Sequence, residues 1–174
     1  MAVPDATGLL TLELDADFRG YLEIEAPELV PTLAALPLPF APGVEPVAYR
    51  LLELRDFELL LWRGEVPRDE ERGFAIALVH DAAGARTSGG ELSLGETTAG
   101  QNEDAVAYYF RDGVPTRAAE STDEQGAGGW SQLPTGVLSA QARHETSGAP
   151  LGVAEFRARP GHVSIVPLQP PDRP

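Results

Sequence analysis

The chain has 174 residues and a formal net charge of -14, with 27 acidic side chains against 13 basic ones. There is no cysteine, and all 13 basic residues are arginine, so the chain has no lysine. Disulfides, thiolate nucleophiles, cysteine-ligated metals, lysine Schiff bases and the lysine-containing phosphate loop are therefore excluded. A field this negative repels polyanions, so we expect neither nucleic acid nor an anionic membrane as a partner.

The N-terminal segment lacks the basic flank and the long apolar run of a signal peptide. No other stretch approaches the roughly 18 consecutive apolar residues of a membrane-spanning helix. A length of 174 residues with 43% hydrophobic side chains suits one globular domain. We therefore expect a single soluble, cytoplasmic domain over residues 1–174.

Apolar and polar residues alternate in two short stretches near the N-terminus, Leu10 to Asp15 and Leu22 to Glu25. Alternation with a period of two is typical of a strand with one buried face, so these stretches predict a β-hairpin. Either plausible register sets Glu13 against Glu23 or Glu25. Directly opposed like charges are unfavourable, so we expect solvent and salt, a bound cation or an arginine-bearing strand to offset them.

A proline-rich connection follows over residues 27–46, which hold six prolines. Proline has no backbone N–H donor and breaks helices. The composition therefore predicts no central strand here, and at most one or two helical turns around Thr32 to Leu36.

The next segment, Val47 to Arg63, fits two structures. As a helix it carries an apolar stripe that includes Phe57 and Leu61, and as strands it divides near Arg55. We favour strands, because the run from Leu59 to Trp62 is too continuously apolar for a surface helix.

Three clearer strands follow, at Phe74 to Asp81, Glu91 to Glu96 and Ala105 to Gly113. The polar residues after them predict a mobile loop over residues 114–129. The pattern of the whole chain therefore predicts an all-β fold. We expect an antiparallel β-sandwich or barrel of about seven to ten short strands, with at most one or two short helices.

The last third predicts a three-stranded meander with turns at Ser147-Gly148 and Pro160-Gly161. In each antiparallel hairpin the residue numbers of two paired positions add up to a constant. The apolar side chains share one face when that constant is even for the first hairpin and odd for the second. The resulting pairs are Arg143 with Glu155, Gln141 with Arg157, Phe156 with Ile165, and Ala158 with Val163. A Pro-Gly turn twists against a tight hairpin, which leaves a bulge or a wider loop open.

On the polar face of that meander lie Arg157, Arg159 and His162. One interpretation is an anion pocket for a carboxylate or phosphate, because arginine offers paired donors. The other is a solvated or salt-bridged sheet face. We favour the second and expect the meander to neighbour the acidic hairpin in one sheet, with Arg157 and Arg159 facing it. The candidate partners there are Glu13, Glu23 and Glu25.

Other candidate site residues are aromatic or histidine. Tyr109 and Trp130 could line an apolar ligand cavity, although core packing explains them as well. His80 and His144 provide a weak alternative metal site, but they lack any established ligand spacing. We predict no cofactor.

We therefore expect a non-catalytic binding or accessory protein, with a protein partner or a small molecule as its ligand. The alternative is a small enzyme or carrier that uses a β-barrel mouth lined by His80, His144 and aromatic side chains. The two differ in the placement of the histidines, which scatter over a binding module and converge on a carboxylate in an enzyme.

Overall fold

A computed structural model describes residues 20–35, 51–95 and 104–170. The predicted strand at Leu10 to Asp15, and with it Glu13, lies outside these residues. The described residues form one helix and ten strands. The helix is α1 (Leu54–Arg63), and the strands are β1 (Tyr21–Ile24), β2 (Thr32–Ala35), β3 (Gly73–Val79), β4 (Gly90–Leu94), β5 (Val106–Arg111), β6 (Val114–Thr116), β7 (Ala127–Leu133), β8 (Gly136–His144), β9 (Pro150–Ala158) and β10 (Val163–Leu168).

The strands form two sheets. The larger has seven strands in the order β1-β2-β10-β3-β7-β5-β6, and the smaller has three in the order β4-β8-β9. This confirms the prediction of a mostly-β fold, but the described strands do not close into a barrel. The prediction of purely antiparallel pairing is also wrong, because β10 runs parallel to both of its neighbours, β2 and β3.

The core consists of two buried clusters, one on each face of the large sheet. Along β3, successive side chains point to opposite faces. Ala75 and Ala77 join a buried cluster that contains residues of both sheets, which places this cluster between them. Phe74 instead joins a second cluster with Phe57 and Leu61 of α1. The helix therefore covers one face of the large sheet and the small sheet covers the other.

The proline-rich connection contains a strand that the sequence did not predict. Thr32–Ala35 forms β2, which lies between β1 and β10. The helical turns expected there are wrong, because the proline-free stretch after Pro31 is long enough for a strand of four residues to pair. Pro31 contributes its carbonyl, which accepts a hydrogen bond from the Val163 N–H at 2.9 Å, so its missing N–H is no obstacle at the start of the strand.

The segment predicted as strands is a helix over Leu54–Arg63. Phe57 and Leu61 are buried against the large sheet, and the Phe57 ring meets Phe74 edge-on with centroids 5.0 Å apart. The expectation of strands failed because apolar residues occur on two faces of this helix. Leu59 and Trp62 are three positions apart, share a face, and remain 50% and 78% exposed. With ten residues, α1 is also too short to cross a membrane, and the described part of the chain contains no longer helix.

A tight junction fixes the end of α1. A Cβ atom on Gly64 would lie 1.8 Å from the Pro115 carbonyl oxygen of β6, so only glycine fits there. Glu65 then takes the left-handed conformation (φ 54°). Its N–H donates to Trp62 O, while the Val66 N–H donates to Leu61 O. This is the Schellman pattern with glutamate in the place that usually favours glycine.

The C-terminal meander is confirmed for its first hairpin and wrong for its third strand. β8 and β9 pair antiparallel and bury the predicted face, but Arg157 lies opposite Val137 rather than Gln141. That shift of four positions is even, so it keeps the side chains on their faces up to Ala142. The register then shifts, and Arg143 pairs with Pro150 rather than with the predicted Glu155.

The third strand, β10, leaves the small sheet and pairs in the large one, so the predicted pairs of Phe156 with Ile165 and Ala158 with Val163 do not form. Gly161 in the connecting turn has φ 68°. A Pro-Gly turn of this kind twists against a tight hairpin, and here the chain crosses to the other sheet.

The residues predicted as one loop, 114–129, are strand at both ends, with β6 at the start and β7 from Ala127. The centre is anchored to the fold. Thr122 is buried, and its hydroxyl accepts from the Gly90 N–H at 2.9 Å and donates to Thr87 O at 3.0 Å. The prediction of a continuous loop is therefore wrong.

Candidate functional site

The first candidate region is the Glu23 cluster, which we define as Tyr21, Glu23, Glu25, Arg159 and His162. Arg159 donates from Nη1 to Glu23 Oε1 at 2.6 Å and from Nη2 to the Tyr21 hydroxyl at 2.9 Å. Its guanidinium also lies over the Tyr21 ring, 5.7 Å from the centroid. Both terminal nitrogens of this guanidinium and one of its faces therefore have partners within the fold.

Local structure explains how the cluster assembles. Tyr21 and Glu23 are two positions apart on β1 and share one face. Arg159 follows β9 directly and His162 precedes β10, so the turn between those strands carries both toward β1. The predicted contact of Arg159 with Glu23 forms. The prediction that the meander neighbours this acidic segment in one sheet is wrong, because β8 and β9 belong to the small sheet and β1 to the large one. Arg157 stands apart, exposed on β9 opposite Val137.

His162 faces both carboxylates of the cluster. Its Nδ1 lies 2.7 Å from Pro160 O, and because a carbonyl oxygen can only accept, Nδ1 carries a proton and donates it there. Its Nε2 then points at Glu23 Oε1 and Glu25 Oε1, at 3.6 and 4.0 Å. Among the described residues, this is the one group of three side chains whose ligand atoms all lie within 4.8 Å of one another.

The chemistry of the cluster is nevertheless that of an ion-pair network. The Glu23 oxygen that lies nearest His162 is the one that Arg159 already holds, and the guanidinium charge repels a cation. An anion at Arg159 would lie beside the carboxylate of Glu23 and be repelled by it. The interpretation as a salt-bridged sheet face therefore accounts for the geometry better than an anion pocket does.

The aromatic candidates lie between the sheets. Tyr109 is 5% exposed, and its hydroxyl accepts a hydrogen bond from the Leu92 N–H of β4 at 2.9 Å. Burial raises the pKa of this phenol. Trp130 is 3% exposed and stacks on Phe156, with ring centroids 6.3 Å apart. Both side chains join the two sheets to each other.

The three histidines do not meet at one carboxylate. His80 follows β3, and its N–H donates to Leu168 O, at the end of β10 opposite His162. His144 ends β8 in the other sheet, where its Nδ1 accepts from the Thr146 N–H at 3.2 Å. The barrel mouth that His80 and His144 were expected to line does not form, because the described strands make two open sheets.

The second candidate region was not predicted. Two adjoining cavities of about 650 and 950 Å³ run along the end of α1 and residues 114–119, and both are lined by Arg63, Glu65 and Arg117. We call them together the Trp62 groove, because Trp62 lines the first cavity and is 78% exposed. The apolar floor of that cavity includes Leu61 and Val66.

The arginines of the groove differ in how they are used. Arg111 lines the second cavity, and its guanidinium donates to Phe110 O and Ser121 O, both at 2.8 Å. Arg63 and Arg117 are exposed, and no carboxylate in the described part of the chain lies within ion-pair distance of either. Two cationic groups therefore lie beside an exposed indole with no carboxylate partner in the described part of the chain.

A sequence signal for the groove does exist. The apolar run from Leu59 to Trp62, which argued against a surface helix, is more apolar than burial of one helix face requires.

Comparison of the chain with protein-family models, with curated proteins and with solved structures finds no match. The function of the groove is therefore argued from its own geometry.

Proposed function

We propose that the chain is a non-catalytic binding protein, a β-sandwich-like scaffold that docks a segment of a protein partner in the Trp62 groove. The observation that carries this proposal is the 78% exposure of Trp62 beside a cavity of about 650 Å³. Tryptophan is a residue that proteins normally bury for the most part. Exposed beside a pocket, it is the side chain most enriched among the anchors of protein interfaces.

The groove is preorganised for binding. Phe57 and Leu61 hold α1 on the sheet, and Gly64 presses against Pro115. Arg68 adds a second attachment, because it pairs with Glu58 and lies over the Phe57 ring at 5.9 Å. A helix fixed in this way loses little conformational freedom when a partner docks, which favours affinity.

The lining of the groove supports binding rather than catalysis. Its ionisable side chains are three arginines and Glu65, a set without a paired nucleophile and base. The occupant we propose is a protein segment that presents an apolar side chain to Trp62 and the floor beneath it. A cytoplasmic location stays a prediction.

The proposal is tested by selecting short random peptides, displayed on phage, against the immobilised full chain. Enriched peptides are expected to share an apolar anchor and to lose about tenfold or more in affinity for the Trp62→Ala variant. Val153→Ala is the matched control, because Val153 is a 56% exposed apolar residue on the small sheet. It should leave the affinity unchanged.

Two results would overturn the proposal. One is enrichment of peptides that bind Trp62→Ala as tightly as the original chain, which would place the binding surface elsewhere. The other is a failure to enrich any peptide over background. Circular dichroism of the Trp62→Ala variant checks that its fold is intact, which we expect because the indole is largely outside the core.

A further inference from the structure

The geometry points to an acidic partner: we infer that the segment docked in the Trp62 groove carries carboxylate side chains, which Arg63 and Arg117 recognise. This inference rests on the proposed function and specifies the chemistry of the partner. It is carried by charge complementarity at the groove rather than by the apolar surface.

The groove reverses the charge of the molecule around it. The chain carries a formal net charge of -14, yet the two cavities are lined by three arginines against the single carboxylate of Glu65. A local positive region on a negative protein attracts carboxylates. Repulsion by the negative net charge of the molecule adds specificity to the docking.

The position of the unpaired arginines supports the same conclusion. Arg68, Arg72 and Arg159 each have a carboxylate partner within the fold, whereas the other described arginines have none. Arg63 and Arg117 differ from the rest of that group because both line the two cavities beside Trp62. Arginine is suited to such recognition, because its planar guanidinium binds a carboxylate through two parallel hydrogen bonds.

Different side chains of the groove would make different contacts with the partner. Trp62 provides the apolar contact, and Arg63 and Arg117 provide the charged ones. Arg111 donates to two backbone carbonyls and so holds the lining of the second cavity in place. Glu65 opposes an acidic ligand, so removal of its charge should strengthen binding, an effect that a purely apolar groove would not show.

The test uses two fluorescein-labelled synthetic peptides with the same central leucine–phenylalanine anchor. One has glutamate at every flanking position and the other has glutamine. Fluorescence anisotropy with the full chain should show tighter binding of the glutamate peptide. Arg63→Gln and Arg117→Gln should each weaken that peptide by about two- to fivefold, as expected for partly exposed charge pairs. Glu65→Gln should tighten it by a similar factor, and none of the three should change binding of the glutamine peptide.

The control variant is Arg157→Gln, which removes an exposed arginine from the other sheet and should change neither peptide. Equal binding of the two peptides, or no binding of either, overturns the acidic-partner inference. The selected random peptides then decide whether the groove binds protein at all, so the two failures are distinguishable. Tighter binding of a labelled oligothymidine, lost in Trp62→Ala, would instead assign the groove to nucleic acid and overturn the inference.

Discussion

Arg159 and Arg117 show two opposite uses of arginine in one chain. Arg159 belongs to a dense basic stretch, and the fold satisfies it with Glu23 and the Tyr21 hydroxyl. Arg117 is isolated in the sequence, yet it lines a groove where, among the described residues, it has no carboxylate partner. The density of charge along a sequence therefore did not locate the surface that is available to a ligand. The fold did, because it places Arg63 and Arg117 together beside an exposed tryptophan.

The same contrast occurs within α1, whose two apolar faces differ in burial. Phe57 is 4% exposed and lies between α1 and the sheet, whereas Trp62 is 78% exposed. If the first face holds the helix and the second serves a partner, their substitution should affect different properties. Stability should depend on Phe57, and binding should depend on Trp62.

The largest expected effect is on the buried face. Phe57→Ala should lower the free energy of unfolding by about 3–5 kcal/mol, because it removes a core ring and leaves a cavity. Urea denaturation followed by circular dichroism measures this loss. Trp62→Ala is the control, with an expected change within about 0.5 kcal/mol. A comparable loss in both variants would mean that Trp62 supports the fold and would weaken its assignment to a partner.

Strict alternation made much of the large sheet predictable. β3 and β5 are strands as expected, and Asp112-Gly113 forms the tight turn between β5 and β6 with φ of 51° and 77°. These features depend on neighbours in sequence, so the local pattern was sufficient.

The errors arose where a distant element decided the outcome. Thr32–Ala35 is too short to show a pattern and becomes a strand because β10 pairs with it. The chain crosses from the small sheet to the large one in the turn at Gly161, just before β10. The contact of Arg159 with Glu23 was predicted from carboxylates opposed across a hairpin, but Glu13 lies outside the described residues and Glu23 is paired with Leu33 of β2. The Trp62 groove was not predictable, since α1 and residues 114–119 are far apart in sequence and the apolar excess of α1 resembled a strand.

The next prediction concerns Tyr108, which lies beneath α1 and is fully buried. Its hydroxyl donates to Ala75 O at 2.7 Å. Tyr108→Phe should therefore cost about 1–2 kcal/mol at neutral pH, because a buried carbonyl loses its donor. Urea denaturation of both proteins at neutral pH measures this cost, and no loss would indicate that the hydrogen bond contributes nothing net.

Burial also raises the pKa of Tyr108 well above its usual value of 10.0. At higher pH the folded state keeps a proton that the unfolded chain loses, so stability should fall as the pH rises above about 10. Tyr108→Phe should make this alkaline decline shallower, and the raised pKa of Tyr109 should account for part of the remainder. An unchanged slope would indicate that Tyr108 does not contribute.

The smallest expected effect tests the comparison of the two arginines directly. Glu23→Gln removes the carboxylate partner of Arg159, and we expect a loss of about 0.5–1 kcal/mol of stability at low salt, because the pair is only partly shielded from solvent. The loss should shrink in about 1 M salt, where charges are screened over roughly 3 Å.

Arg117→Gln is the matched variant, and it should leave stability unchanged at either salt concentration, because no described carboxylate pairs with Arg117. Equal losses in Glu23→Gln and Arg117→Gln would show that Arg117 is bound within the fold after all. That result would remove the charge argument for an acidic partner while leaving the apolar contact of Trp62 in place. The comparison therefore separates an arginine that completes the structure from one that is left for a ligand.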